Sequence, residues 1–584
     1  MTDLRIKATE LMIGSDHPTK ADTLNRLILA EHNNDGTHKY GVVYVEQYAG
    51  IGDGVIDDSQ AMQDAINAAN TSGKWLIDLN GKTWRITKTV DLKSNVFLTN
   101  GTIYVDDIVG DLTGAYTADN YPIVAAFRVQ SLQNCGFHCV KFTGNSDASG
   151  SVSCSAIYID YPYTSGPSTV GTDGLFINFC TFTNISRFGI TGQCLGGQDW
   201  DISHNKFFLS GGALTTLPTY GSQQGIQAGV DIVYDEGGGT PTRSLIDGLI
   251  FESNQFIIDC STQDYHGVAY KIQGARNASV SNNVVRKVGA NSVVDHSSAI
   301  SVVYLEDSMF NGNVCGGNVG NITSLQFQGC VNSSAVGNYT YNNWAIISYV
   351  RGAYTKNSNG LNITSMRGGL STAALVLGLS YGTTYGVLTN VEVTDWHGEI
   401  YNYMHTSASG VRVKEGTITR YRNTTAASAG PLILERNTIY ASASDADEIF
   451  LHNVTAVNNR FIGTATGAAG YYILKIYNTK LKNNTYEYPE AASYTGFIRI
   501  YDGTTSEIYE SLENMSPWAG QYVVYNSTGT YQKTTIDTSA PTAGSWKVGN
   551  RVSHPWPTAG GYIGWVCTTA GSPGTWKTFG AVTA

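Results

Sequence analysis

The stretch FESNQF (251–256) sets an asparagine between apolar and aromatic positions, and the chain returns to that pattern many times. ISHNKF (202–207) comes before it. VSNNVV (280–285), FNGNVC (310–315) and AVGNYT (335–340) follow, then AVNNRF (456–461) and KLKNNTY (480–486). Each reads as an apolar residue, two positions, Asn, one position, then an apolar or aromatic residue or its place. Asn205, Asn254, Asn283, Asn313 and Asn338 are 49, 29, 30 and 25 residues apart. A second alternating segment accompanies these: AIYID (156–160), GITGQ (189–193), GVDIVYD (229–235), GVAYKIQ (267–273) and AISVVYL (299–305). The unit is two or three short strands in some 25–30 residues. Such a unit cannot bury its apolar face alone and must stack on its neighbours. Asn at the same corner of each unit can then form a hydrogen-bonded ladder. The architecture that fits is a parallel β-helix; a β-sandwich or a propeller is the alternative.

The segment Gly52–Asn70, GDGVIDDSQAMQDAINAAN, is rich in acids and precedes the first strands. An EF-hand loop counted from Asp53 would need a ligand at Val55 and Gly at Asp58, so a calcium loop of that kind does not fit. A helix does. Asp57 is expected as N-cap, with Gln60 completing a capping box. Ala61, Met62, Ala65, Ile66 and Ala69 make one apolar stripe at helical spacing. Residues 74–105 then read as short strands broken by Asn-Gly and Ser-Asn turns.

Composition agrees with an all-β chain. Of 584 residues only 14% are charged, while Gly (65) and Tyr (36) are abundant. The net charge of −11 argues against a nucleic-acid surface. No apolar run is long enough to span a membrane, and the opening MTDLRIKATELMIG lacks the apolar core of a signal peptide, so synthesis in a cytoplasm without that route of export is expected. The nine cysteines are scattered without zinc spacing and are expected as buried free thiols.

GDGVIDDSQAMQDAI followed by strands and Asn-Gly turns resembles the opening of pectate-lyase-like right-handed β-helix proteins, and more closely bacteriophage tailspike depolymerases. Asp53, Gly54, Asp57, Asp58, Ala61, Gln63 and Ile66 carry the match. The stretch 15–39 is similar to the leading segment of phage tail proteins. The resemblance implies a helix capping the N-terminal end of the solenoid, a homotrimer on the virion tail, attachment to a phage tail or adaptor protein through residues 1–39, and depolymerisation of a bacterial capsular or exopolysaccharide at the cell surface. The organisation it suggests is a leader at 1–39, capping helix and first rungs at 40–110, the β-helix at 111–505 and a C-terminal β-module at 506–584. That module is Trp-rich: Trp546, Trp556, Trp565 and Trp576 are four of the chain's ten tryptophans. They are expected to form its small core rather than a sugar-stacking face.

Glycoside hydrolysis needs a proton donor and a second carboxylate, about 5–5.5 Å apart for retention and roughly 6.5–9.5 Å for inversion. Carboxylates one or two rungs apart on a β-helix face satisfy this. Aligning the second segments places Ile157, Ile190, Val230, Val268 and Ile300 inward. Tyr158, Thr191, Asp231, Ala269 and Ser301 then form an outward column. Asp160, Gln193, Val233, Lys271 and Val303 form the next. The longest interruptions of the repeat, 209–224 and 236–244, flank Asp231. The catalytic candidates are therefore Asp231, Asp235, Glu236 and Glu306, with Asp199 and Asp201 in reserve. Tyr158, Asp160, His266, Lys271 and Gln273 are candidates for binding the sugar. No metal ion or cofactor is implied. The paired-Asp, Gly-His-Gly and Arg-x-Lys signatures of polygalacturonase-like hydrolases are absent. Lys271 and Arg276 leave a lyase open as an alternative, and a non-catalytic glycan-binding fibre is the third reading.

Overall fold

The computed structural model describes residues 42–106, 124–144, 154–159, 171–185, 188–193, 196–210, 227–233, 245–261, 267–290, 298–316, 323–340, 345–347, 358–365, 367–368, 374–378, 387–404, 407–423, 430–441, 449–463, 472–487, 496–500, 506–509, 534–536, 538–542 and 546–583. They belong to two compact units, one ending at Ser301 and the other beginning at Val302. Among the described residues the fold is all-β apart from one long helix and one short 3-10 helix, Val45–Tyr48. Its body is a right-handed parallel β-helix, with a small, mostly antiparallel module at the C-terminal end.

In the first unit the strands Val42–Tyr44 and Asp53–Asp57 lead into the helix α1 (Ser59–Ser72), whose buried face is the expected stripe of Ala61, Met62, Ala65, Ile66 and Ala69. Its start differs from expectation. The residue before the helix is Asp58, and its side chain does not cap the helix. Instead, buried Asp58 turns back to accept from the Ile51 and Gly52 amides at 2.8 and 3.2 Å. Asp57 accepts from the Ser59 amide at 3.1 Å, and Gln60 reaches forward to Asp64, so no capping box forms. Asp53 accepts from the Val55 and Ile56 amides. The acids thus satisfy the backbone donors of the loop that leads into the helix.

Behind the helix the first unit coils with three strands to a turn: Asp173–Asn178, Thr181–Thr183 and Phe188–Gln193, then Asp201–Ser203, Lys206–Ser210 and Gln227–Val233. Equivalent strands pair in parallel with those of the next turn. The corner between the first two strands is the Asn motif. His204, Ser253 and Asn282 each adopt the left-handed conformation (φ 59°, 55° and 57°), which turns the chain sharply before Asn205, Asn254 and Asn283. The three amides are wholly buried and form a ladder. Asn205 donates to Asn254 Oδ1 and Asn254 to Asn283 Oδ1, both at 3.0 Å. Each amide also donates to a backbone carbonyl of the preceding turn, at 2.7 to 2.9 Å. A buried amide left unpaired would be costly, so the ladder sets the register of successive turns. Two residues beyond the corner the core is a stack of rings. Phe142, Phe182, Phe207 and Phe256 lie with centroids 4.9, 4.6 and 4.7 Å apart and planes within 5°.

The second unit uses the same corner. Asn313 donates to Asn338, and Asn437, Asn459 and Asn484 form a further three-membered ladder. Its core is mainly aliphatic: Val393, Val413, Leu434, Ala456 and Leu481 stack in register. The C-terminal module is built on the strands Thr534–Ile536, Arg551–Ser553, Tyr562–Thr569 and Thr575–Ala581. Trp546, Val552 and Cys567 form its core, with Trp565 and Trp576 packed against them. The tryptophans thus act mainly as core; Trp556 is the exception, at 66% exposed. Of the free cysteines described, Cys135, Cys180, Cys260, Cys315, Cys330 and Cys567 are buried and Cys139 is exposed.

Candidate functional site

One wall of the first unit carries a row of polar residues. It runs through β1 (Val90–Asp91), β2 (Val124–Val129), β3 (Cys154–Ile159), β4 (Phe188–Gln193), β5 (Gln227–Val233) and β6 (Gly267–Arg276), each paired in parallel with the next. The inward register is Val90, Phe127, Ile157, Ile190, Val230 and Tyr270, all buried. Side chains alternate along a strand. The alternate register is therefore Asp91, Arg128, Tyr158, Thr191, Asp231 and Lys271.

This corrects the sequence alignment at β6. Val230 pairs with Tyr270, not with Val268, and Asp231 pairs with Lys271, not with Ala269. Lys271 therefore moves from the second column into the column of Asp231. The strand GVAYKIQ alternates with the same period in either frame, and an apolar tyrosine ring serves the core as well as valine. A slip of two residues leaves such a pattern intact, so only the pairing partner reveals it.

The row is charged at its ends. Asp91 and Arg128 form a two-pronged ion pair, with Arg128 Nε and Nη2 donating at 2.6 and 2.8 Å. The paired Asp91 carboxylate, with the Tyr158 phenol a smaller influence, holds the Arg128 guanidinium above its usual pKa. In the middle, Tyr158 and Thr191 are buried although they alternate with the core positions. Lys271 and Gln273 are half-buried. Six rungs at about 4.8 Å make a row roughly 24 Å long. Asp91 and Arg128 did not emerge from the sequence because β1 and β2 lack the repeat's Asn signature; the signal that finds them is register with Tyr158.

The remaining candidates divide by location. Asp235, Glu236, Asp160 and His266 lie outside the described residues, as does the N-terminal segment 1–39. The backbone of Asp231 is placed by its pairing with Thr191 and Lys271. Glu306 belongs to the second unit, where it ends the strand Ser298–Glu306, is half-buried, and forms a parallel bridge with Val331. The reserve pair serves the wall. Asp201 accepts from Ser203 Oγ and, at 3.0 Å, from Asn178 Nδ2, while Asp199 sits at a left-handed corner. Arg276 is held by Asp247, which also accepts from Asn277 at 2.7 Å; the two donors, Asn277 first, keep the Asp247 carboxyl below its ordinary pKa. Among the described residues no three His, Cys, Asp or Glu side chains come together in a metal-binding group. No described helix is long and apolar enough to cross a membrane.

No family model matches the chain, and no curated protein matches it. Solved structures are similar at low identity. The surface protein and adhesin PfbA of Streptococcus pneumoniae is 14% identical, with 79% of this chain and all of that one covered and a TM-score of 0.34. The Dettilon tailspike protein is 14% identical over 69% of this chain and 70% of its own, with a TM-score of 0.36. A mutant tailspike protein of E. coli bacteriophage HK620, in complex with a pentasaccharide, is 13% identical over 77% and 78%, with a TM-score of 0.39. The β-helix itself stands on the strand pairings and ladders described above.

Proposed function

We propose that the chain is a bacteriophage tailspike that binds a bacterial capsular or exopolysaccharide along the polar row of its first unit and cleaves it by glycosidic-bond hydrolysis. The observation that carries this reading is the register of Asp231, between buried Thr191 and the cation Lys271. Asp231 is assigned as the base that activates water, or as the nucleophile. Asp91 is not its partner: four rungs separate them, roughly 19 Å, twice the span an inverting pair uses. The proton donor is assigned to Asp235 or Glu236, four and five residues further along the chain. Glu306 is kept as a separate candidate in the second unit. Tyr158, Asp160, His266, Lys271 and Gln273 bind the sugar's hydroxyl or acidic groups. The protein works as a homotrimer whose repeated sites raise avidity on a repetitive glycan. It is made in the host cytoplasm, joins the virion tail or an adaptor through residues 1–39, and acts at the bacterial surface.

A non-catalytic glycan-binding fibre is the second reading. It is favoured by the fate of the described carboxylates: Asp91, Asp201 and Asp247 each accept hydrogen bonds within the wall. Elimination is the third, with Lys271 as base, since Arg276 is tied to Asp247. One measurement separates them. The protein is incubated with capsular polysaccharides from a bacterial panel and the product masses are recorded. Hydrolysis adds one water per cut; fragments without that water mean elimination; intact polymer with retained binding means a fibre. Asp231→Asn is expected to keep glycan binding and lower turnover by about a hundredfold or more. A wild-type rate in that variant removes Asp231 from the mechanism.

A further inference from the structure

A second wall of the first unit is made of the strands Leu76–Asp78, Phe97–Val105, Gln133–Gly144 and Asp173–Asn178, paired in parallel. It carries an open groove beside the end of α1. The helix stops at Gly73, whose left-handed conformation (φ 68°) lets its amide donate to the Ala69 carbonyl and turns the chain back toward the wall. Trp75 comes out just before the first strand and is 57% exposed. It meets half-buried Phe97 edge to face, with centroids 6.2 Å apart and planes at 87°. Phe97 and Phe176 flank Gly136 in register, so two rungs, roughly 10 Å, separate their backbones. Their ring centroids are only 5.9 Å apart, because Gly136 puts no side chain between them. A Cβ there would stand 1.8 Å from the Phe176 carbonyl oxygen. Phe176, 37% exposed, continues the aromatic platform along the wall. Trp75, Phe97, Asn70, Gly73, Ser94 and Asn95 line a groove of about 430 Å³, and none of the described lining residues is charged. Asn95 is held in place. It sits at a left-handed corner (φ 60°), its backbone amide donates to the Gln133 carbonyl at 2.7 Å, and its Oδ1 accepts from Asn134 Nδ2 at 3.4 Å. Ser94 Oγ accepts from the Gln133 amide at 3.0 Å. Four donors are then left without a described partner: Asn95 Nδ2, the Ser94 hydroxyl, the Asn70 side-chain amide and the Trp75 indole N–H.

Packing does not call for this arrangement. Trp84, Trp200 and Trp396 are wholly buried, whereas Trp75 forgoes most of the burial that makes tryptophan stabilising. Single exposed rings are ordinary on a protein surface, but here rings meet beside a concave space edged by free donors. The size of that space selects the occupant. A stable protein interface takes roughly 20–30 residues a side, far more than this groove offers. Small-molecule sites run from roughly 300 to 1,000 Å³. An uncharged lining suits a neutral ligand, because a charged one would lose hydration without gaining a partner. A sugar ring offers an apolar face to an aromatic ring and hydroxyls around its edge. We propose that Trp75, Phe97, Asn70, Ser94 and Asn95 form a binding site for a neutral sugar residue. Its ring lies against the Trp75 face, and its hydroxyl oxygens accept from Asn70, Ser94 and Asn95. That the ligand is a sugar rests on the function proposed above; that the site exists rests on the groove, the exposed rings and the free donors.

The test is calorimetric titration of the full chain with neutral oligosaccharides of glucose, galactose, mannose and rhamnose, and with an oligoglucuronate of equal length. One neutral probe is expected to bind, with an affinity that changes by less than about twofold as salt rises from about 0.05 to 0.5 M; which one binds names the sugar. Trp75→Ala should weaken that binding about tenfold or more. Asn95→Gly keeps the left-handed corner and should weaken it about threefold, while Asp231→Asn leaves it unchanged. Binding should also shift the tryptophan emission of the wild type and not that of Trp75→Phe, which keeps a ring and serves if Trp75→Ala fails to fold by circular dichroism. Binding of the oligoglucuronate alone, no neutral binding by the wild type, neutral binding that survives both Trp75→Ala and Asn95→Gly, or an emission shift that remains in Trp75→Phe overturns the site. Polymer cleavage without neutral binding overturns this site and leaves the function proposed above standing. Neutral binding with no polymer cleaved counts against that function and leaves this site standing.

Discussion

The two units turn their corners alike and fill their walls differently. In both, a left-handed residue precedes a buried Asn whose amide bonds to the next turn. Between corners, the first unit stacks Phe142, Phe182, Phe207 and Phe256 and carries a row of polar and charged residues alternating with the core. Two residues beyond its corners the second unit sets Ile439, Phe461 and Tyr486 in register, the last two as stacked rings, and it takes an ion pair into a bulged wall. The corner is thus the common device, because every turn must satisfy the same backbone groups in the same place. The wall asks only for apolar residues inward, and its other face is left to function.

Substitutions test that division, beginning with the largest effect. Phe207→Ala should cost about 3–5 kcal/mol, since it opens a cavity in the middle of a ring stack. Ile439→Val in the second unit should cost only about 1 kcal/mol. Thermal and urea denaturation of the two variants measure both, and equal losses would show that the ring stack closes over the cavity. Asn459→Ala should cost about 3 kcal/mol. It strips the acceptor from the amide groups of Asn437 and the donor from Asn484 and Leu434. Asn254→Ala in the first unit should cost the same; a large difference between the two would show that the corners are not equivalent. Glu399→Gln should cost about 2 kcal/mol, because it removes the charge of a largely buried carboxylate that faces Arg420 and accepts from Tyr401. Glu392→Gln, in the exposed pair with Lys414, should cost about 0.5 kcal/mol or less.

Acidification gives a test confined to the second unit. Burial lowers the pKa of His452, which is 3% exposed and packs edge-on against Tyr477 at 4.4 Å. The unfolded imidazole takes up a proton near pH 6.5 and the folded one only below that. Between those values the unfolded state binds more protons, so this contribution to stability is present above about pH 6.5 and lost as the pH falls. The melting temperature should drop from pH 7.5 to pH 5, and His452→Phe should shrink the drop. An unchanged drop would assign it to the carboxylates.

The repeat that is visible in FESNQF and its relatives already contains the corner, the ladder and the parallel coil. Those follow from local demands: a residue that tolerates positive φ, then an amide that can donate and accept at once. The stripe of α1 was legible for the same reason, whereas its cap was not. Asp57 and Asp58 offer identical carboxylates, and what separates them is that Asp58 finds the Ile51 and Gly52 amides across the loop. The candidate row was half legible. Tyr158, Thr191 and Asp231 align by pattern, but Lys271 entered it only through strand pairing, and Asp91 and Arg128 only through their partners. The pairing of Glu399 with Arg420 was invisible, since His397–Asn402 and Thr417–Asn423 look like ordinary alternating strands until the one-residue slip at Thr419 sets the two side by side.

What the sequence by itself determined is therefore the class of fold and the position of most corners, Asn437 being missed, because these depend on residues a few places apart and on a repeat that can be counted. What only the tertiary structure decided is which side chains meet across the turns. A strand repeats every two residues, so its pattern is blind to slips of two and to bulges of one. Contacts between side chains 20 to 40 residues apart depend on those slips alone.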